Sequence, residues 1–427
     1  MHWIVALFLF LSISRFHMHV PILAVLRLPM LLGSTALLLS FGTIDYWRPA
    51  ELAKHWMVRL VGLMVVIFLI GMPLSIYPGH SYRVFTDDYL TVILGATMTL
   101  VIGRTLAGLK LLLKTLASGC VAAAVLAVVR GRTDSSGRLS GGYVYDANDI
   151  ALICLIAIPL IVWWVLDHKS LAGKLMVGSI PLLLYVVVSS DSRGGFLGLV
   201  AIAAGFLFLG FSKQHGIPRL RATALLLAAA FVVGVPFLPK EYLARIASIG
   251  SEEDYNTTSY SGRKNLWRRG MQYTVTYPVT GVGLGNFRTA EGRDLAGEAT
   301  PGKGIKWSAP HNSFVQAAAE GGVIVGISYL LLCLGSIVQL VRIRPTPDGE
   351  GLMAPLVALA MLGFSVTSFF LSWAYYDVTY MLFGLAASVL MRRGSFQLFG
   401  GVPEVAMAPA LNSTAPPRRW GRSAPRP

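Results

Sequence analysis

Long uncharged apolar stretches recur about a dozen times along this chain, each separated from the next by a short polar break. A helix that crosses a hydrocarbon core of about 30 Å uses about 20 apolar residues. Of the 427 residues, 55 % are apolar, enough for about twelve such crossings and little else. Charged residues make up 13 %, half the usual share of a soluble domain, and the mean hydropathy is +0.63. These features exclude a soluble multidomain enzyme, a coiled coil and a disordered protein. They argue against an outer-membrane barrel as well, because its short alternating strands never give apolar runs of this length. The predicted class is an all-α polytopic membrane protein of about twelve transmembrane helices.

The spans are expected near 3–15, 20–42, 57–77, 87–105, 108–129, 149–167, 173–189, 194–211, 222–238, 312–341, 352–372 and 375–391. The start of the chain lacks a basic segment and a small-residue cleavage site, so it reads as a first span rather than a signal peptide. Every even-numbered loop is basic: Arg48, Lys54 and Arg59, then Arg104, Lys110 and Lys114, then Lys169 and Lys174, then Lys213, Arg219 and Arg221, then Arg342 and Arg344. Arg392, Arg393 and the arginines near the end follow the last span. The positive-inside rule then puts both termini in the cytoplasm. Four regions follow: 1–238 with nine spans, 239–310 as one large extracytoplasmic loop between spans 9 and 10, 311–392 with three more spans, and 393–427 as a disordered cytoplasmic tail rich in Pro and Arg.

The net charge of +15 would raise nucleic acid as a partner in a soluble protein; here it reads as membrane anchoring, with no nucleic acid involved. More telling are bases on the outer side, where the rule disfavours them. Arg130, Arg132 and Arg138 precede span 6; Arg193 sits in the turn SSDSRGG; Arg263, Lys264, Arg268 and Arg269 lie in the large loop. Taken singly, such a residue most often reaches a lipid headgroup or a nearby acid. Three clusters on one face instead point to a diphosphate, which the fork of arginine grips in bidentate fashion. A polyprenyl-diphosphate-linked glycan is the natural diphosphate at that surface. Gly194-Gly195 after Arg193 lets backbone approach an anion at the start of span 8.

The large loop ends in Ser308-Ala309-Pro310-His311-Asn312-Ser313, with Asn312 or Ser313 as the expected cap of span 10. His311 would sit just before a helix N-terminus, whose positive end disfavours an imidazolium and so suits a general base. A histidine beside a cap is more often a surface hydrogen-bonding group, but this is the one histidine in the large loop. Glu320, about two turns on, reads more readily as a buried hydrogen-bond anchor than as a catalytic acid. The glycine string at 281–285 reads as a tight turn, and a Walker motif, a DxD pair and a His/Cys metal cluster are all missing, so no metal or cofactor is expected. Cys120, Cys154 and Cys333 lie in apolar runs as small buried hydrophobes.

Four segments carry a family resemblance: RLSGGYVYDANDIALI (138–153), SSDSRGGFLGL (189–199), YSGRKNLWRRGMQYTVTYPVTGVGLGNF (260–287) and APHNSFVQAAAEGGVIVG (309–326). In order and spacing they resemble the O-antigen ligase and polysaccharide polymerase (Wzy-C) superfamily over about residues 86–345. The resemblance implies a GT-C-like, metal-independent glycosyltransferase in the bacterial inner membrane. It would move a glycan from undecaprenyl diphosphate to an acceptor hydroxyl: lipid A–core in a ligase, another glycan in a polymerase, a protein Ser/Thr in an O-oligosaccharyltransferase. It also implies His311 as the catalytic histidine and Arg193 and Arg263 as diphosphate ligands. Arg138 and Asn148 fall in a recurring motif and, with Arg268, Asn312 and Glu320, are possible supporting residues. The run Lys264–Arg269 is more basic than the family pattern. A transporter passing an anionic substrate is the alternative from another class; it would need charges at mid-span and internal repeats, and neither is evident.

Overall fold

The computed structural model describes residues 1–41, 47, 49–134, 137–142, 144–167, 171–212, 218–234, 236, 238–248, 262–297, 307–346 and 350–398. Lys169, Lys213, two parts of the large loop (249–261 and 298–306) and the tail 399–427 lie outside them. The fold is all-α, apart from a two-stranded antiparallel hairpin pairing Arg132 with Ser140 and Thr133 with Leu139.

Each expected span has a helical counterpart. Among the described residues six helices are long and apolar enough to cross a membrane: Pro78–Gly103, Leu106–Arg130, Ala147–Asp167, Leu171–Ser189, Arg193–Phe211 and Ser313–Arg342. His2–Ser14, Leu28–Phe41, Trp56–Gly71 and Met353–Ser368 are shorter apolar helices, and Pro218–Gly234 and Asp377–Arg392 complete the series. The second expected span is broken in two, Pro21–Val25 and Leu28–Phe41, because Arg27 takes a left-handed conformation (φ 47°) just ahead of Pro29.

Ala147–Asp167 is the central post. Its residues Ile150–Val162 are buried on every side, as a helix apolar all round must be. Leu106–Arg130, Arg193–Phe211 and Met353–Ser368 pack around it, and Asp377–Arg392 lies against Leu90–Gly103. The polar contacts fall into two groups at opposite ends of the bundle. At one end Lys110 pairs with Asp167 (2.9 Å), Arg392 with Glu350 (2.7 Å) and Arg104 with Glu51. At the other, Arg15 pairs with Asp377 (3.0 Å), the Tyr145 hydroxyl donates to the Ile13 carbonyl (2.7 Å) and the Trp373 indole to Asp149 (2.6 Å). The first group joins even-numbered loops and the second odd-numbered ones.

The tail is ordered further than expected. Residues 395–398 fold back on the first end, where Gln339 Nε2 donates to the carbonyls of Gln397 (2.7 Å) and Leu398 (2.6 Å), and Trp56 N–H donates to the Phe396 carbonyl (3.1 Å). The low-complexity composition begins beyond this strap, whose carbonyls find side-chain and backbone donors on two helices.

The large loop contributes three described helices: Lys240–Ala247, Arg263–Thr276 and Phe287–Gly297. Between the last two, a glycine turn docks on a break in Ser313–Leu330. Gly322 departs from helical geometry (φ 77°, ψ −175°), and the turn fills the gap: Val282 N–H donates to Ala319 O (2.8 Å), Gly283 N–H to Glu320 O (3.1 Å), and Val323 N–H to Pro278 O (2.8 Å). The backbone groups freed by the break thus find partners in the turn, as non-helical backbone inside an apolar bundle requires.

Candidate active site

The site is built on the turn 369–376 between Met353–Ser368 and Asp377–Arg392. Ser313 Oγ donates to Leu371 O (2.8 Å) and accepts from Trp373 N–H (2.8 Å), so the start of Ser313–Leu330 is sewn to this turn. Asn312 is buried and caps the helix, accepting from the N–H groups of Phe314 (2.9 Å) and Val315 (3.0 Å). One residue earlier, His311 takes a left-handed conformation (φ 47°), and its N–H donates to Ser372 Oγ (2.9 Å). The Trp267 indole donates to Pro310 O (3.0 Å). The histidine backbone is therefore held from two sides in a conformation that most residues avoid.

The turn SSDSR repeats this plan. Asp191 is left-handed (φ 50°), Ser192 caps the next helix through Gly195 N–H (3.0 Å), and Arg193 is the first helical residue. Arg193 Nε donates to Arg245 O (3.2 Å) and its Nη2 to Ser248 Oγ (2.8 Å). Arg138 reaches the same turn: its Nε donates to Ser190 O (3.0 Å) and its Nη2 to Asn148 Oδ1 (2.9 Å). Asp191 and Arg245 form an ion pair at 2.9 Å. Burial pushes the Asp191 carboxyl above its usual range, opposed by Arg245, Arg138 and Arg193; burial, and then Arg245, lower the Arg138 guanidinium.

Phe370 connects this group to Arg263. Gly194 approaches it so closely that an added Cβ would lie 3.1 Å from the Phe370 Cβ, while the Arg263 guanidinium stands 5.9 Å from the ring centroid. Trp267, one turn after Arg263, meets Phe369 edge-on at 5.1 Å. Arg263, the His311 backbone and Gly194, the residue after Arg193, thus all approach residues 369–373, while Arg138, held by Asn148, bonds the turn that carries Arg193. Arg193 and His311 each stand at the start of a helix, and the Arg263 guanidinium lies over a ring of the turn to which His311 is bonded.

Other candidates lie elsewhere. Arg268 and Lys264 are exposed on Arg263–Thr276. Arg269 is no outward-facing base: it is buried, with Nε donating to Glu291 Oε2 (2.7 Å) and Nη2 to Glu291 Oε1. Arg130 and Arg132 are exposed around the hairpin. Glu320 is buried beneath the glycine turn, accepting from the N–H groups of Gly285 (3.0 Å) and Phe287 (3.1 Å). Among the described residues no group of His, Cys, Asp and Glu could hold a metal. Sequence reasoning missed Arg245, in the amphipathic helix Lys240–Ala247. Its only signal is a basic side chain on a polar face, which a surface helix shows equally well.

Residues 178–330 match the Wzy_C family model, O-antigen ligase, which supports the resemblance over that segment. The segment contains Arg193, Arg245, Arg263, His311 and Glu320. No curated protein matches the chain.

Proposed function

We propose that this protein is a metal-independent glycosyltransferase of the O-antigen ligase type, working on the outer face of the bacterial inner membrane with both termini in the cytoplasm. The observation that supports this best is that Arg263, the His311 backbone and Gly194, the residue after Arg193, approach the single turn 369–373 from three separate segments. A multi-pass membrane enzyme of this superfamily meets a substrate that is itself membrane-bound, here a glycan on undecaprenyl diphosphate. The polyprenyl tail stays in the bilayer while Arg193 and Arg263 hold the diphosphate, Arg193 from the first turn of its helix, where backbone N–H groups add to the field.

His311 removes the proton from the acceptor hydroxyl as its oxygen bonds to the anomeric carbon. The bond from that carbon to the diphosphate oxygen breaks, and undecaprenyl diphosphate departs with the electron pair. One displacement inverts the anomeric configuration. Charge grows on the leaving oxygen, so the arginines act on rate as well as on binding. The acceptor is lipid A–core or a comparable hydroxyl.

The test is mass spectrometry of envelope glycans from a deletion strain complemented with wild type or His311→Ala. General-base assistance is worth about 10²–10⁴-fold, so the variant should accumulate normally yet leave finished glycan on the lipid carrier. Near-normal transfer by that variant would remove the base assignment. A deletion strain holding only single repeat units would make the enzyme a polymerase instead.

A further inference from the structure

The Asp191–Arg245 pair differs in construction from the Arg269–Glu291 pair at the same end of the bundle. Arg269 and Glu291 meet in bidentate fashion, buried, with both carboxylate oxygens used. Asp191 and Arg245 meet through one oxygen and one nitrogen (Nη1 to Oδ2, 2.9 Å), leaving Asp191 Oδ1 and Arg245 Nε buried without hydrogen-bond partners among the described residues. Yet 36 % of the Arg245 side chain and 23 % of the Asp191 side chain remain exposed, so the pair can be reached from solvent. A scaffold pair would be expected to use its full hydrogen-bonding capacity.

Its position is equally specific. The Asp191 carboxyl lies beside Arg245, Arg138 and Arg193, in the same turn that presents Arg193. Arg193 in turn bonds the Arg245 carbonyl and Ser248 Oγ, so the Lys240–Ala247 helix and the proposed diphosphate ligand are fixed relative to each other.

We propose that Asp191 is the resident anion of this arginine cluster and that Arg245 is a third ligand of the donor diphosphate, surrendered by Asp191 when the donor arrives. The inference rests on the reading of Arg193 as a diphosphate ligand. The exchange replaces a single carboxylate contact with a group that carries two negative charges and several acceptor oxygens, which the Nη1 released by Asp191 and the unpartnered Nε of Arg245 can meet. In the donor-free protein the carboxylate keeps mutually repelling guanidinium groups together, so the site is assembled before the lipid enters.

The experiment measures binding of undecaprenyl diphosphate to the full-length protein in phosphatidylcholine nanodiscs, with thermal unfolding as a check on folding. Arg245→Gln should weaken binding about tenfold, the scale of a lost charge-assisted hydrogen bond, and Arg245→Lys should weaken it less. Asp191→Asn keeps the left-handed backbone, which asparagine tolerates, and removes the competing charge. It should bind several-fold more tightly than wild type and add nothing in the Arg245→Gln background. Wild-type affinity in Arg245→Gln would show that Arg245 is not a ligand. Unchanged or weaker binding in Asp191→Asn would show that the carboxylate is not displaced. Both results leave the donor site itself standing; a wild-type protein that binds no undecaprenyl diphosphate would remove the donor site and this inference together.

Discussion

Arg269 and Arg193 carry the same charge at the same end of the bundle, yet their partners differ in kind. Arg269 is buried with both of its carboxylate contacts made to Glu291, which is itself fully buried. Its loss strands a carboxylate in the interior, so Arg269→Leu should destabilise the protein by about 3–5 kcal/mol, read as a lower unfolding temperature and poorer accumulation. Arg193 is only partly buried and bonds a carbonyl and a hydroxyl, contacts that a lysine can replace. Arg193→Lys should therefore unfold close to the wild-type temperature. A point charge cannot reproduce the fork on a departing diphosphate, however, and transfer should fall by roughly 10²-fold or more. Full activity in Arg193→Lys would favour a lipid-headgroup contact. In the sequence these two arginines read alike, as bases on the wrong side of the membrane; only the fold gives one a buried acid and the other an open turn.

At the scale of elements, the glycine turn and the broken helix form one device. Gly283 has φ 97°, and a Cβ there would fall 2.1 Å from the Ser75 Cβ. Gly283→Ala should therefore dislodge the turn from Ala319 and Glu320, costing at least about 1–3 kcal/mol for the strained backbone alone. Gly62→Ala, on the exposed side of Trp56–Gly71 where an added methyl meets nothing within 4 Å, should be neutral or slightly stabilising. Thermal unfolding of the purified variants compares them, and equal midpoints would mean that the turn is not held as described. The helices themselves were legible, because an apolar run of membrane length has few other outcomes. The cap before Ser313 and the turn at 281–285 were legible too, since both rest on local chemistry. What joins them was not. Gly322 breaks its helix to receive a turn some forty residues upstream, and Arg245 reaches Asp191 over more than fifty. Such pairings leave no trace in local composition.

For the whole molecule, the decisive property is that the loops sort into two ends. Arg104, Lys110 and Arg392 share one end with their acids, and Arg15, Arg138, Arg193 and His311 share the other. A lipid-linked glycan is presented on one side of the membrane only, so the proposed chemistry requires the second end to face outward. The chain suits a direct measurement: Cys120, Cys154 and Cys333 are all buried, and burial leaves them poor targets for a polar thiol reagent. Lys264 and Lys54 are exposed, one beside Arg263 and the other at the end that carries Arg104 and Lys110. With a membrane-impermeant maleimide, intact spheroplasts should label Lys264→Cys and leave Lys54→Cys unlabelled until the membrane is permeabilised. The reverse pattern would set the arginines and His311 against the cytosol, apart from their lipid-linked substrate, and the glycosyl transfer proposed for them would have no donor.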